Sequence, residues 1–394
     1  MPICMRGRGN STWKLSKKPY NLTFYKDNNY DGSKKVSLIQ GVKAKKWTLC
    51  SNYFDNSLMR NKIAQDLGSS LGIGLPAEFV DVYMNGEYIG NYTLTPKKDY
   101  NAPDGGYALE DTNWPKEEDQ FEIPGMFELG TQRTNRIDIK DIGKEAKAQG
   151  TTNESIEPYF RTAWNVLEDY DSETYQQYFD LNSWAKMFLM YEVSKTYDCH
   201  AGSLLIHRDG LSPSDKLIAG PTWDYDVSFG RTLHKLCLGI SEPVQVNAEG
   251  WYNDAIGFMA IDKPVSLLQE LGKHASFMKA VSDVYTANRS KFEAVEANVT
   301  KQAALLRDSA LMNNEKWGTH SLCAEYVIAP NAMAAIGTGK YKLHYKVTTT
   351  WDDYIYNLGK FCNKRVLWMT DHLDQNSNAH LDIVTAHGGT VHIR

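Results

Sequence analysis

Residues 79–92 read Phe-Val-Asp-Val-Tyr-Met-Asn-Gly-Glu-Tyr-Ile-Gly-Asn-Tyr and contain the clearest hairpin signal in the chain. Two runs rich in β-branched and aromatic residues, Glu78–Met84 and Glu87–Leu94, are separated by Asn85 and Gly86. Because Asn-Gly suits the two left-handed positions of a type I′ turn, the stretch predicts a pair of antiparallel strands. The N-terminal part of the chain should therefore contain an antiparallel sheet.

Segments on both sides of this hairpin predict a small α+β lobe. Residues 19–25 and 46–50 read as short strands, and the first alternates as a half-buried strand does. Residues 58–71 carry apolar side chains at helical spacing, and Asp55-Asn-Ser57 before them can cap a helix. A connector rich in Pro, Gly and Asp follows at residues 95–106. We therefore expect an N-terminal lobe over residues 1–100.

The rest of the chain predicts mainly helices. Helical periodicity recurs in three segments, namely residues 155–196 (two helices), about 265–310, and 350–373. Short strands are expected at residues 107–110 and 204–207. Residues 111–153 are polar and read as irregular. We therefore expect a mainly helical lobe over residues 101–375, then a polar tail, residues 376–394, of unknown role. The fold class is α+β.

Composition excludes several classes of protein. The 394 residues carry a net charge of −5, so general attraction to nucleic acid is not expected, although the first 50 residues are basic. The six cysteines form no CxxC pair and the ten histidines no HExxH motif, so any metal should have oxygen ligands. No apolar run is long enough for a membrane span. The start lacks the pattern of a signal peptide, and we interpret the chain as an excised domain of a longer, exported protein.

Two acids stand in an aromatic segment. Residues 219–230 read Ala-Gly-Pro-Thr-Trp-Asp-Tyr-Asp-Val-Ser-Phe-Gly and place Asp224 and Asp226 after the strand at 204–207. Carboxylates are rarely buried unless they are paired or bind a cation, and alternation along an extended segment would point both to one side. The segment predicts either a divalent metal site or an acid pair that caps a turn.

The basic start of the chain is suited to phosphate. Residues 6–13 read Arg-Gly-Arg-Gly-Asn-Ser-Thr-Trp and precede a strand that begins with Lys17 and Lys18. Backbone N–H groups of a Gly-rich turn can cradle anionic oxygens, and Arg can bind them in bidentate fashion. Gly-Arg-Gly is not a Walker A sequence, so a solvated basic hairpin is the alternative.

A third candidate follows the second helix of residues 155–196. Asp198 lies in the loop Lys195-Thr-Tyr-Asp-Cys-His-Ala-Gly-Ser203, and Ser203 lies five residues after it. Kinases use the same offset between a catalytic-loop Asp and a metal-binding amide side chain, and a hydroxyl can also ligate magnesium. Such a pair also occurs by chance. The order of basic turn, strand lysine, hairpin, connector, helical lobe, loop Asp and acid pair is that of a kinase.

The chain resembles the spore-coat protein H (CotH) kinase family, an atypical group similar to protein kinases. The resemblance rests on Arg6–Trp13, Lys17–Tyr20, Lys45–Leu49, Leu58–Asn61, Phe79–Tyr92, Gly105–Tyr107, Tyr197–Asp198 and Gly220–Asp226, with a weaker echo in the helix at 351–373.

The resemblance implies a diverged, two-lobed protein-kinase-like fold that uses ATP and Mg²⁺, with the nucleotide between the lobes. It implies that Asp198 is catalytic and that Asp224 and Asp226 hold magnesium, with Ser203 as a further ligand. The phosphate-contacting lysine would be Lys18, with Lys17 as the alternative. The residues expected to line the phosphate loop are Arg6, Arg8, Asn10 and Ser11. Asp66 is the acid available to pair with the lysine.

Two departures from the family pattern concern function. Pro96 stands where the family tends to have an acidic residue, which affects the expected hinge contacts to the base. Cys199 and His200 follow Asp198, and the bulky His could alter how a hydroxyl substrate approaches.

The predicted function is ATP- and Mg²⁺-dependent phosphoryl transfer to Ser or Thr hydroxyls of a protein substrate. The alternative is a pseudokinase that acts as a binding or structural module at a cell surface or in a spore coat. A metal-dependent phosphodiesterase or glycosidase would leave the basic turn without a purpose. The location is open, and export, the cell surface or a spore coat are the candidates.

Overall fold

We describe the protein from a computed structural model. It describes residues 1–9, 11–97, 102–112, 120–122, 128–129, 133–134, 136–196, 202–231, 246–253, 266–318, 334–346 and 350–373.

The strands and helices within these residues are numbered in chain order. The strands are β1 (Ile3–Gly7), β2 (Tyr20–Phe24), β3 (Val36–Ile39), β4 (Val42–Ala44), β5 (Lys46–Cys50), β6 (Glu78–Met84), β7 (Glu87–Pro96), β8 (Tyr107–Thr112), β9 (Gln120–Glu122), β10 (Glu128–Leu129), β11 (Arg133–Thr134), β12 (Arg136–Ile142), β13 (Leu204–Arg208), β14 (Ile218–Ala219), β15 (Ala334–Ile336) and β16 (Leu343–Tyr345). The helices are α1 (Arg60–Ser70), α2 (Lys144–Ala148), α3 (Asn153–Asn165), α4 (Leu181–Ser194), α5 (Leu267–Gly272), α6 (Ala275–Glu293), α7 (Val295–Trp317) and α8 (Trp351–Leu373). The predicted α+β class is confirmed, with a β-rich N-terminal part and a helical C-terminal part.

The chain forms two compact units, and the first comprises residues 1–100, 224–248 and 293–364. Its main sheet is antiparallel, with strand order β1-β2-β5-β7-β6. The predicted β6–β7 hairpin is confirmed, because Asn85 and Gly86 have φ values of +52° and +83°. These are the left-handed conformations that a type I′ turn requires.

Apolar side chains of this sheet form the core of the first unit. Phe24, Trp47, Leu49, Tyr92 and Leu94 are buried together. The predicted strands at 19–25 and 46–50 are β2 and β5, and their pairing brings these side chains to one cluster. Burial of such large apolar surfaces is the main favourable contribution to folding.

Helix α1 begins two residues later than predicted, at Arg60. The chain before it is a tight turn in which Leu58 has a φ of +63°, a value incompatible with a right-handed helix. The N-cap position is Met59, whose side chain makes no capping hydrogen bond, so the predicted N-cap at Asp55–Ser57 is displaced. The Asp55 carboxylate still accepts hydrogen bonds from the backbone N–H groups of Ser57 (2.9 Å) and Arg60 (2.7 Å), the first residue of the helix.

The second unit comprises residues 101–223, 249–292 and 365–394, and its sheet has the order β14-β13-β8-β12-β9. The prediction that residues 111–153 are irregular is wrong in part. Strand β12 pairs along β8, and Ile137, Ile139 and Ile142 of this strand are buried. A register shift between Ile139 and Asp141 breaks the alternation that would have identified the strand.

Two helices within residues 155–196 were predicted, and α3 and α4 confirm them. Helix α4 is buried on almost every side, including Trp184, Phe188 and Tyr191. Asp180 caps it by accepting the Ser183 N–H at 2.8 Å. The predicted helix at 350–373 is α8, and the segment at 265–310 divides into α5, α6 and α7. Among the described helices, we find none whose length and hydrophobicity would suffice to span a lipid bilayer.

Candidate functional site

The acidic segment adopts an irregular backbone in the first unit. Asp224 has a φ of +66°, a left-handed conformation that is uncommon outside glycine. The segment is therefore not a regular extended strand, and simple alternation does not orient the two carboxylates. Asp226 is buried with 8% of its surface exposed, whereas Asp224 is half-buried.

The first turn of α1 anchors this segment. The Tyr225 N–H, between the two acids, donates to the Asn61 side-chain oxygen at 2.9 Å. The Ser228 hydroxyl donates to the Tyr225 carbonyl at 2.5 Å, and Arg60 Nε donates to the Ser228 carbonyl at 2.9 Å. Two consecutive residues of α1 thus hold the backbone on both sides of Asp226.

Arg60 is itself held by a buried ion pair. Its Nη1 lies 2.6 Å from Asp55 Oδ1, and both side chains are buried. Burial by itself raises the pKa of Asp55, but the charges of Arg60 and Arg231 and the hydrogen bond from Ser57 outweigh it and hold that pKa below its usual value. The carboxylate therefore stays ionised and keeps the guanidinium in place.

The basic turn lies near the acid pair. Burial raises the pKa of the Cys50 thiol, at the end of β5, to about 11, and three charged groups also act on it. Arg8 opposes the rise, whereas Asp224 and Asp226 add to it. Hydrogen bonds agree with this arrangement. The Arg8 N–H bonds to the start of β2, which pairs with the end of β5, and Asn52, just after β5, contacts Asn61, the acceptor of the Tyr225 N–H.

Glycines allow the basic turn to fold back on itself. The Trp13 ring lies over Gly7, where an added Cβ would come within 2.2 Å of the ring. Gly9 has a φ of +86°, which favours glycine. The Arg8 N–H donates to the Pro19 carbonyl at 3.2 Å, which joins the turn to the start of β2.

Other predicted residues of the turn have different surroundings. Arg6 is exposed on β1, and Ser11 is exposed before a short 3₁₀ turn at Thr12–Lys14. Asn10 lies outside the described residues.

The two lysines before β2 point to different places. Lys18 Nζ donates to the Trp13 carbonyl at 2.6 Å and lies 5.2 Å from the centre of the Trp13 ring, so its ammonium faces the basic turn. Lys17 is fully buried; its Nζ donates to the Asn91 carbonyl and, at 2.7 Å, to Asn313 Oδ1. Burial lowers the pKa of Lys17 to about 7, against the raising effect of Asp81.

Asp66 has partners of its own. Its carboxylate pairs with Lys62 at 2.5 Å and accepts hydrogen bonds from Asn298 (3.0 Å) and Gln302 (2.9 Å). It therefore joins α1 to α7.

Asp198, with Tyr197 and residues 199–201, lies outside the described residues. Ser203 belongs to the second unit, where it directly precedes β13 with a φ of +62°.

Sequence reasoning missed a buried network at the end of α4, six residues before Asp198. Glu192 accepts hydrogen bonds from the backbone N–H groups of Tyr252 and Asn253, at 2.9 Å each, and from Arg365 Nη2 at 2.6 Å. Arg365 also donates to the carbonyls of Glu192 and Gly250, at 2.8 Å each. The signal was a lone acid in an apolar helix, since such a group needs a buried partner.

The donor set at the acid pair fits magnesium. Within the described part of the chain, no group of three or more His, Cys, Asp or Glu side chains could hold a metal ion. Mg²⁺ in nucleotide-dependent enzymes is commonly held by only one or two carboxylates, together with phosphate oxygens and water. Asp224 and Asp226 supply two carboxylates of this kind, and Arg8, in the turn that meets the same end of β5, supplies a charge suited to phosphate.

Comparison with known proteins identifies the family of this chain. The family described as CotH kinase protein matches residues 5–369. A curated relative, inner spore coat protein H of Bacillus subtilis (strain 168), is 26% identical over 242 residues. That alignment covers 58% of this chain and 59% of the relative, so less than two thirds of the relative's length is spanned. The match over nearly the whole length places this chain in the CotH kinase family.

Proposed function

We propose that this chain transfers the terminal phosphoryl group of ATP to hydroxyl groups of a protein, with Mg²⁺ as the cofactor and a two-lobed kinase-like fold. The observation that carries the proposal is that the basic turn and the acidic segment meet at the end of β5. The Arg8 N–H bonds to the start of β2, which pairs with that end, and Asn52, just after β5, contacts Asn61, which accepts the N–H between the two acids. A phosphate-binding cation and two metal-binding carboxylates in one place are what phosphoryl transfer requires. Membership of the CotH kinase family supports the same reaction class.

Each candidate residue has a distinct task in this proposal. Asp224 and Asp226 would hold Mg²⁺, and the bound ion would neutralise charge on the transferred phosphate. Asp198 would orient the acceptor hydroxyl and accept its proton. The phosphates would contact the basic turn, through Arg6, Arg8, Asn10, Ser11 and Lys18.

The Lys18 ammonium supports its assignment over Lys17. It faces the basic turn through the Trp13 carbonyl, whereas the Lys17 ammonium is enclosed by Asn91 and Asn313. A fully buried lysine with two of its three donors already used is less suited to meet an incoming phosphate.

The Bacillus relative is named as an inner spore coat protein, and we propose association with a spore coat or another exported structure for this chain. The second candidate function, a pseudokinase that binds nucleotide within such an assembly, makes a different prediction. It would bind ATP without transferring phosphate.

Transfer of labelled phosphate from ATP to the chain itself or to a Ser-rich peptide tests the reaction. Mg²⁺-dependent incorporation should be lost in Asp198→Asn and kept in Asp169→Asn, which changes an exposed aspartate of the same unit. Undiminished transfer by Asp198→Asn would contradict the catalytic assignment. Nucleotide binding without any transfer by the unmodified chain would favour the pseudokinase.

A further inference from the structure

Asn61 accepts a hydrogen bond from the backbone between the two acids, and this contact bears on the candidate site as well as on the stability of the fold. The Tyr225 N–H, which donates to Asn61 Oδ1 at 2.9 Å, belongs to the peptide that immediately follows Asp224. This peptide is planar, so its orientation is set by the backbone dihedrals on either side of it, in Asp224 and Tyr225. These dihedrals also determine the directions in which the side chains along the segment leave the backbone.

The backbone at this point needs an external partner. Asp224 has a φ of +66°, and a non-glycine residue in this region costs roughly 1–3 kcal/mol, so it persists only where its surroundings impose it. Tyr225 is fully buried, so its N–H is shielded from bulk solvent and requires an acceptor inside the protein. Asn61 supplies the missing acceptor.

The Asn61 amide is fixed in the orientation that this task requires. Its Nδ2 donates to Asn52 Oδ1 at 3.2 Å, which turns its oxygen towards Tyr225. Asn52 is fixed in turn, because its Nδ2 donates to the Leu58 carbonyl (3.0 Å) and to Thr93 Oγ1 (2.8 Å). A chain of hydrogen bonds thus runs from β7 to the acidic segment.

Arg60 completes the arrangement on the other side of Asp226. Its Nε holds the Ser228 carbonyl at 2.9 Å, and the Ser228 hydroxyl returns to the Tyr225 carbonyl at 2.5 Å. The segment from Tyr225 to Ser228 is therefore held at both ends, with Asp226 between the two points.

We propose that Asn61 is a positioning residue that sets the Asp224 and Asp226 carboxylates for divalent metal binding by accepting the Tyr225 N–H. The proposal rests on the proposed function, because it assumes that these acids hold Mg²⁺ with a nucleotide. Its effect is exerted through the backbone, and Asn61 needs no contact with the metal or the substrate.

The test compares two truncations on the same helix. Asn61→Ala removes the acceptor for the Tyr225 N–H. Gln65→Ala is the control, because it removes a buried side chain of the same helix whose Oε1 accepts the Leu75 N–H at 2.6 Å, and Leu75 is remote in sequence from the acids. Calorimetry would measure the Mg²⁺ concentration that gives half-maximal ATP binding, and hydrogen exchange would follow the Tyr225 amide. We expect Asn61→Ala to raise the required Mg²⁺ about tenfold and to speed Tyr225 exchange, and Gln65→Ala to do neither.

A second variant keeps the test decisive if Asn61→Ala does not fold. Asn61→Asp retains an acceptor oxygen for Tyr225 but loses the donor to Asn52 Oδ1 and adds a charge, so the informative readout is the Tyr225 amide, whose exchange should stay within about threefold of the original rate. An unchanged requirement in Asn61→Ala, an equal rise in Gln65→Ala, or fast Tyr225 exchange in Asn61→Asp would overturn the inference. Absence of Mg²⁺-dependent ATP binding in the unmodified chain would instead contradict the proposed function.

Discussion

Two buried arginines, Arg365 in the second unit and Arg60 in the first, have different relations to their surroundings. Arg365 pairs with a carboxylate 173 residues away, on α4, and also holds the carbonyl of Gly250. Arg60 pairs with Asp55, only five residues away, and donates a long-range hydrogen bond to Ser228 in the acidic segment. The same side-chain chemistry thus serves to join distant parts of a unit in one case and to place a candidate site in the other.

We therefore expect Arg365 to contribute mainly to stability and Arg60 mainly to the candidate site. Removal of Arg365 should weaken the unit as a whole, because three segments lose their common contact. Removal of Arg60 should act mainly on the acidic segment, because the turn around Asp55 retains its local hydrogen bonds. Variants test this contrast between the two arginines, and it fails if Arg60 proves to matter more for overall stability than Arg365.

The largest effect is expected at Arg365. Arg365→Ala leaves the Glu192 carboxylate buried without its counter-ion, which should lower the free energy of unfolding by roughly 3–5 kcal/mol. Urea unfolding measures this value. Lys279→Ala, in the exposed pair with Asp283, is the control and should change stability by less than about 1 kcal/mol. If Arg365→Ala changed the free energy of unfolding only slightly, the Arg365–Glu192 pair would not stabilise the unit, and the contrast with Arg60 would fail.

Arg60→Ala should destabilise less but should affect binding more. We expect a loss of about 3 kcal/mol, at the low end for a broken buried pair, because Asp55 still accepts hydrogen bonds from Ser57. Mg²⁺-dependent ATP binding should fall at the same time. Arg60→Lys should not restore it, since an ammonium cannot bridge Asp55 and Ser228 as the guanidinium fork does. Full binding by a folded Arg60→Ala protein would show that the acidic segment does not depend on this anchor.

Lys17 extends the comparison to a buried cation whose acceptors, Asn91 and Asn313, are neutral. Burial lowers its pKa from the ordinary value of 10.5 to about 7 in the folded protein, so between these two pH values the unfolded chain binds the additional proton. This lysine should therefore make the protein more stable as pH rises, by about 2 kcal/mol from pH 7 to 9. Chemical denaturation at several pH values should show that Lys17→Met loses this part of the slope, and an unchanged slope would contradict the assignment.

The smallest effect is expected at the β6–β7 turn, which belongs to none of these networks. Gly86 has a φ of +83° with open space around its Cα, so Gly86→Ala introduces backbone strain but no steric clash. It should lower stability by about 1 kcal/mol in thermal or urea unfolding. A loss as large as that of Arg365→Ala would mean that the hairpin, rather than the buried ion pairs, limits stability.

Local chemistry made part of the fold predictable from the sequence. Asn85 and Gly86 specify their own turn, and the periodic apolar residues of α8 identify a helix without knowledge of its partners. Strand β12 was missed because its alternation is interrupted at a bulge. The candidate acids and Arg8 could be chosen from their residue types, whereas the Asn61–Tyr225 bond joins residues 164 positions apart and has no local signal.

The most direct test of the central claim, that the acid pair holds a divalent metal beside the phosphate-binding turn, is calorimetric titration of ATP with and without Mg²⁺. The account predicts Mg²⁺-dependent binding by the unmodified chain and its loss in Asp226→Asn or Asp224→Asn, with the fold retained. Equal, Mg²⁺-dependent binding by the unmodified chain and by both variants would contradict it.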